Sequence, residues 1–487
     1  MKIDFKHIVL ADLLFCYIPV VLFLGGWCRW EIAVPGCLLV GYMLLSLYRR
    51  HIKPTQTQQL TLQPALLIGL TFFTLLIAFL LGYGGVISDF HDYPKHSAVI
   101  QDLSQRSWPV IYDDAANPSM LTYYVGSYLF PGLVGQWTGS RIIGEIALGI
   151  VGWIGMILLL LNILFLVDAQ TTKKQIWAMV IYMGFYGMLL PLQTLFLPVN
   201  EDIIWGYPHW YTYKWLGFRS SLTALKWVWE QYTIPVLGLA MLYRFREKRS
   251  LYAIWILPAL ICGTWSFLTL FAYVVAAYVI SCIRDKKFHT DLFSWQNIVC
   301  GLIGLIMVIY LAGNLTTDKP AELKLQLITN GRYYLISYLP FCVFMFGIYF
   351  LLIWRHVQRD LFFYITLGLL CVIPFFRAGF FNDWCIGTSM PALFLLSIFC
   401  IRFLINKPAD TAKRTKRVWV TLVVCIAVNV PFVLYEFYNT FQYTGYPARS
   451  ISEYSCLECE DIDIDLRTNY FTYNYEESIF YKYIARK

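Results

Sequence analysis

Long apolar runs recur along this chain at short intervals, and that pattern limits the fold more than any other feature. Each run is near the ~20 residues that a helix needs to cross the hydrocarbon of a bilayer. In lipid every backbone N–H and C=O must be satisfied within the protein, so runs of this kind fold as helices. Only 14% of the 487 residues are charged and 59% are apolar, where a soluble chain carries about 25% charge. The expectation is an all-α polytopic membrane protein. Thirteen spans are read, over 8–26, 31–48, 64–84, 142–167, 175–196, 223–243, 251–264, 266–283, 296–313, 333–354, 361–376, 387–405 and 418–437. The stretch 251–283 is too long for one upright helix at ~1.5 Å per residue, and a break is expected near Gly263. The first run has no small-residue cleavage site after it and reads as a retained span.

Charge orients these spans. With the N-terminus inside, the inner loops are 49–53, Lys173-Lys174, 244–249, 284–287, Arg355 with Arg359, and 402–417, and every one is basic. That is the distribution of cytoplasmic loops. The alternating outer loops, 85–141, 197–222, 314–332, 377–386 and the tail 438–487, carry most of the acids. The expected layout is a transmembrane unit over 1–437, with a functional outer loop at 85–141, and an extracytoplasmic tail over 438–487. The net charge of +8 is a topology signal and not a nucleic-acid footprint, because no soluble basic domain carries it. The 13 cysteines are mostly single residues inside apolar runs. Cys456-x-x-Cys459 in the tail reads as a local disulfide or free thiols.

The first outer loop is longer than a connection needs, and long loops tend to be functional. It holds Asp89, His91, Asp92, Lys95, His96, Asp102 and Arg106 directly after an apolar run. Such density of ionisable groups at a membrane boundary points to function. Asp92, with Asp89 in reserve, is a candidate general base. Lys95, His96 and Arg106 are candidates to neutralise an anionic leaving group. Against this, Asp92 before Pro94 is also a good helix N-cap, over a short helix expected at 94–104. Asp102 and Arg106, one turn apart, also suit a surface pair. A hard divalent cation on Asp89, His91, Asp92 and His96 is conceivable, but the spacing matches no familiar ligand motif, and no cofactor is required. The segment from Tyr123 through Tyr124 to Gly132 is aromatic and too short to span, which suits an interfacial or re-entrant piece.

Further candidates sit in the other outer loops. Glu201 and Asp202 lie among Trp205, Tyr207, Trp210 and Tyr211, a mixture that suits sugar stacking as well as an interfacial belt. Glu230 and Gln231 interrupt an apolar helix start. Arg377 suits phosphate, because a guanidinium fork matches its oxygens. Asn382 and Asp383 either join that site or cap the following helix. Asp102, Tyr124, Glu201, Asp202, Gln231, Asn382 and Asp383 are taken together as the acceptor and sugar side of the site, and Lys95, His96, Arg106 and Arg377 as the phosphate side. No phosphate-cradling Gly loop, Rossmann fingerprint or nucleophile elbow is present in the sequence.

Four blocks carry a family resemblance. D-Y-P-K-H-S-A-V-I-Q-D-L and W-P-V, from Asp92 to Val110, are followed by Y-Y-V-G-S-Y-L-F-P, from Tyr123 to Pro131. Then come G-F-F-N-D-W-C-I-G-T-S-M-P-A-L-F-L-L, from Gly379 to Leu396, and S-I-F-Y-K-Y-I, from Ser478 to Ile484. Together they resemble bacterial multi-span glycosyltransferases of the GT-C superfamily. Gly387 stands where that pattern has Arg, Ser97 where it has Asn, and Tyr232 where it has His. The resemblance implies transfer of a sugar from a polyprenyl-phosphate donor to a glycan or lipid acceptor at the outer leaflet of a bacterial inner membrane. The resemblance also implies inversion at the transferred carbon, as is usual in that family, with a loop Asp as base. The competing expectation is a transporter or flippase of lipid-linked sugar, or a related polysaccharide polymerase or ligase. A transporter would want charges near mid-bilayer and an internal repeat, and the spans read as nearly free of charge with no repeat.

Overall fold

A computed structural model of the chain describes residues 2–53, 58–85, 93–112, 118–187, 216–316, 324–329, 331, 337–379, 382–406, 413–431, 434, 438 and 470–487. The apolar runs form helices: α1 (Phe5–Trp27), α2 (Trp30–Leu47), α3 (Pro64–Leu80), and, within the first outer loop, α4 (Tyr93–Gln105) and α5 (Gly126–Thr138). Next are α6 (Arg141–Leu166), α7 (Thr172–Met183), the short α8 (Ser221–Trp227), α9 (Trp229–Arg244), α10 (Tyr252–Cys262), α11 (Thr264–Asp285) and α12 (Trp295–Ala312). The last are α13 (Leu339–Val357, with a π turn at Val343–Gly347), α14 (Leu361–Val372), α15 (Asp383–Ile405), α16 (Lys413–Ala427) and α17 (Ile479–Tyr483). Among the described residues seven of these helices are long and apolar enough to cross a membrane: α1, α2 with its extension to Ile52, α6, α11, α12, α13 and α15. Shorter apolar helices lie at Pro64–Leu80, Arg249–Cys262 and Leu361–Phe375. The fold is therefore helical and multi-pass.

Helix α15 runs through the middle of the bundle, with 83% of its apolar window buried, and α6 is next at 72%. Helices α2 and α12 lie outside and turn Trp30, Leu38, Tyr42, Leu302 and Leu305 outward. Such a continuous apolar exterior is what lipid requires. Lipid tails are as apolar as leucine, so helices in a membrane associate by close fit, which favours small residues at contacts. On α6 a Cβ at Gly152 would come within 2.5 Å of the Tyr83 ring, and one at Gly155 within 2.7 Å of Thr233 on α9.

The break expected near Gly263 is present, between α10 and α11. A Cβ there would lie 2.7 Å from the Gln231 carbonyl oxygen, so the gap between the two helices is where the head of α9 seats.

Two small sheets mark the two ends of the bundle. Strands β1 (Lys2–Asp4) and β2 (Gln59–Thr61) pair antiparallel at the end that carries the basic loops. At the far end β3 (Ile111–Tyr112), β4 (Ser119–Leu121) and β7 (Phe471–Tyr473) form an antiparallel sheet in the order β3-β4-β7. The last residues dock on the same end: Arg486 N donates to Trp27 O at 2.8 Å, and Phe480 of α17 packs 5.2 Å from the Tyr310 ring. Residues 470–487 are thus built into the 85–141 segment and the tips of α1 and α12.

Candidate functional site

The short helix expected at 94–104 is α4. Its face of Ala98, Val99, Ile100 and Leu103 is buried, and α5 accepts it closely, because a Cβ at Gly132 would meet Leu103 at 2.5 Å. Asp89, His91 and Asp92 lie outside the described residues, so the expected base, the cap of α4 and the conceivable cation ligands do too. Lys95 and His96 stand half-buried on the first turn. His96 Nδ1 hydrogen-bonds the Tyr128 hydroxyl, with the two rings stacked at 5.7 Å.

Ser97 donates to Glu145 Oε1 on α6, and Glu145 is in turn paired with Arg141 Nε at 3.3 Å. This buried triad was not among the expected site residues. Its signal was present: two ionisable residues one turn apart at the head of an apolar span. The Ser97 departure thus has a local partner of its own.

Asp102 belongs elsewhere on α4, about 10 Å along the axis from Lys95, and Arg106 follows directly after the helix ends at Gln105. Asp102 is 1% exposed and accepts from the Tyr112 hydroxyl at 2.7 Å, with Arg106 Nε 3.7 Å away. Arg106 also donates to Ile111 O at 3.1 Å and lies over the Tyr112 ring. These contacts tie the end of α4 to β3.

A second group of expected residues does come together. Gln231 Nε2, on the first turn of α9, donates to the Tyr124 hydroxyl at 2.8 Å and lies 3.3 Å from Glu230 Oε1. Ser127 at the head of α5 donates to Glu230 O at 2.8 Å, which locks the two helix starts together. The Tyr123 ring sits against Tyr124 and, at 4.5 Å, against Tyr470. Burial pushes the Tyr124 phenol well above its usual range, and the charges of Glu230 and Asp383 push it further. Glu230 lies on the first turn of α9 and Asp383 on the first turn of α15. The arrangement is an aromatic wall bearing a phenol hydroxyl, an amide and the Glu230 carboxylate.

Arg377, Asn382 and Asp383 lie at the head of α15. Asn382 takes a left-handed conformation (φ 56°), and its Oδ1 accepts from Cys385 N at 3.4 Å and Ala378 N at 3.3 Å. It is the helix cap, one of its two expected roles. Asp383 is exposed and its carboxyl group lies over Gly379, where it would meet an added Cβ, and Gly379 itself takes a left-handed φ of +84°. Arg377 donates from Nε and Nη2 to Gln326 Oε1 at 3.0 and 2.8 Å, within the strand pair β5 (Gln326–Leu327) and β6 (Phe376–Arg377).

Gly387, where the family pattern has Arg, is one turn into α15. A Cβ there would meet Trp265 Cβ at 2.6 Å, and Ser266 donates to its carbonyl at 2.8 Å. The missing side chain makes room for α11. Glu201, Asp202, Cys456 and Cys459 lie outside the described residues. Among the described residues no group of three His, Cys, Asp or Glu side chains is placed to hold a metal ion. No family model, characterised protein or solved structure matches the chain.

Proposed function

We propose that this chain is a membrane glycosyltransferase. It moves a sugar from a polyprenyl-phosphate donor to a glycan or lipid acceptor on the extracytoplasmic side of a bacterial inner membrane. The observation that carries the reading is the meeting of Tyr124, Gln231 and Glu230 at the end of the bundle away from the arginine-rich loops. An aromatic wall with acids and amides suits a pyranose, whose faces are apolar and whose hydroxyls need partners. In this scheme Asp92, with Asp89 in reserve, takes the acceptor proton as the acceptor oxygen attacks the anomeric carbon. The bond from that carbon to the phosphate oxygen breaks with inversion, and polyprenyl phosphate leaves. Lys95, His96 and Arg377 balance its charge, so a metal is not required.

The same reading takes thirteen crossings: the seven long apolar helices, the three shorter ones, and α7, α9 and α16, each standing where a span is expected. Even numbering then puts the first outer loop and the head of α15 on one face.

The test is incubation of the purified protein with a radiolabelled polyprenyl-phosphate sugar and an extract of cell-envelope acceptors, with no nucleotide sugar present. Label leaving the lipid for an acceptor is expected. Label that stays on the lipid but changes leaflet in vesicles would instead make the chain a flippase.

A further inference from the structure

At the basic end of the bundle, the tips of α9, α11, α13 and α15 and the heads of α10 and α14 surround a cavity of about 730 Å³. Six arginines line it: Arg246, Arg249, Arg284, Arg355, Arg359 and Arg402. Two carboxylates, Glu247 and Asp360, line it with them. Three of the six are held by acids: Arg249 by Asp291 at 3.2 Å, Arg284 by Asp285 at 2.9 Å, and Arg246 loosely by Asp360 at 3.8 Å. Asp360 is also engaged by the Tyr243 hydroxyl at 2.7 Å. Among the described residues Arg355, Arg359 and Arg402 make no ion pair. A topology signal alone asks only for positive charge near the helix ends. It does not ask that the charges converge, from four connecting segments, on one concave space.

We propose that this cavity binds the phosphate head group of an anionic phospholipid of the cytoplasmic leaflet. Guanidinium forks match phosphodiester oxygens in geometry as well as charge. Basic pockets between transmembrane helices on this side are where such head groups bind. The walls below the arginines are apolar, formed by Val357, Leu361, Phe362, Phe399 and Phe403. Beside the cavity Ile280 and Ile283 on α11 and Tyr364 on α14 are exposed. An acyl chain attached to a phosphate in the cavity would find those surfaces, whereas a free phosphate would use none of them. The site is independent of the proposed transfer chemistry, which lies at the other end of the bundle.

The test is thermal unfolding and native mass spectrometry of the full chain in neutral detergent. It uses three additions: phosphatidylglycerol, phosphatidylcholine and inorganic phosphate. Phosphatidylglycerol is expected to raise the unfolding temperature and to remain bound, while the other two do neither. The combined variant Arg355→Gln, Arg359→Gln, Arg402→Gln is expected to bind phosphatidylglycerol roughly 100-fold more weakly, at about a kcal/mol per surface cation. The corresponding lysine variant is expected to retain most of the binding. The single Arg359→Gln variant, in an exposed turn, carries the test if the triple variant does not fold. Equal binding of the two lipids, or undiminished phosphatidylglycerol binding by the glutamine variants, would overturn the proposal. Stabilisation by inorganic phosphate without lipid retention would overturn the assignment to a head group.

Discussion

At the scale of single residues, the candidate site depends on hydrogen bonds between groups far apart in the chain. Gln231 and Tyr124 are 107 residues apart. Each was visible in the sequence as a polar group in an aromatic or apolar setting, but nothing in one sequence says that the two touch. Replacing Gln231 by Leu removes the donor to Tyr124. The expected result is a loss of about 1 kcal/mol in stability and a fall in transfer of up to roughly 100-fold through lost positioning, measured by thermal unfolding and by the label assay. The Tyr124 phenol has its folded value raised above the ordinary 10.0, by burial first. Its contribution to stability is therefore complete below pH 10 and is lost as pH rises through the folded value. The unfolding temperature of the wild type is expected to fall on going from pH 9 to pH 11, and that of Tyr124→Phe to fall less steeply. Equal slopes would mean that the phenol is not held in a buried position. Residue type alone does not divide cap from site at Asn382, because an asparagine suits both. The backbone geometry at the head of α15 is what distinguishes them, and backbone geometry leaves no mark in composition.

At the scale of elements, most helices follow from the length of their apolar runs. Helix α4 and the Gly263 break were legible too, the first from a Pro-led polar segment and the second from a run too long for one helix. The strands β3, β4 and β7 were not. Two or three residues are too few to show the period-two alternation that betrays a strand, and the partner of β4 comes from the far end of the chain. The Arg expected at 387 is a departure at this scale as well, since α15 and α11 pack through that position. Gly387→Arg, which restores the family pattern, is expected to destabilise the protein by about 3 kcal/mol or more through overpacking against Trp265. Thermal unfolding in detergent reads this directly. An unfolding temperature equal to that of the wild type would contradict the close packing of these two helices. The Ser97–Glu145–Arg141 triad also belongs here, because it pins α4 to α6. So does Asp12 on α1, which accepts from Asn162 on α6 at 2.9 Å. A sequence reading that treats the spans as nearly free of charge passes over that pair.

At the scale of the whole molecule, the two ends of the bundle differ in kind. One gathers arginines, and the other gathers tyrosines, acids and the docked chain end. That division was legible from the loops alone, because the basic and acidic loops alternate along the sequence. The convergence at either end was not, since it depends on how the helices are arranged around α15. Alkaline phosphatase inserted at Gly139 is expected to be active in intact cells, and the same insertion at Lys287 inactive, because that enzyme folds only outside the cytoplasm. The reverse pattern would invert the orientation and move the candidate site to the cytoplasmic side. The most direct measurement is sugar transfer from a polyprenyl-phosphate donor by Asp92→Asn, beside donor binding by the same protein. The expected result is transfer lowered by roughly 100-fold to 10,000-fold with donor binding retained. Turnover at the wild-type rate would contradict the assignment of Asp92 as the base and, with it, the proposed chemistry of this loop.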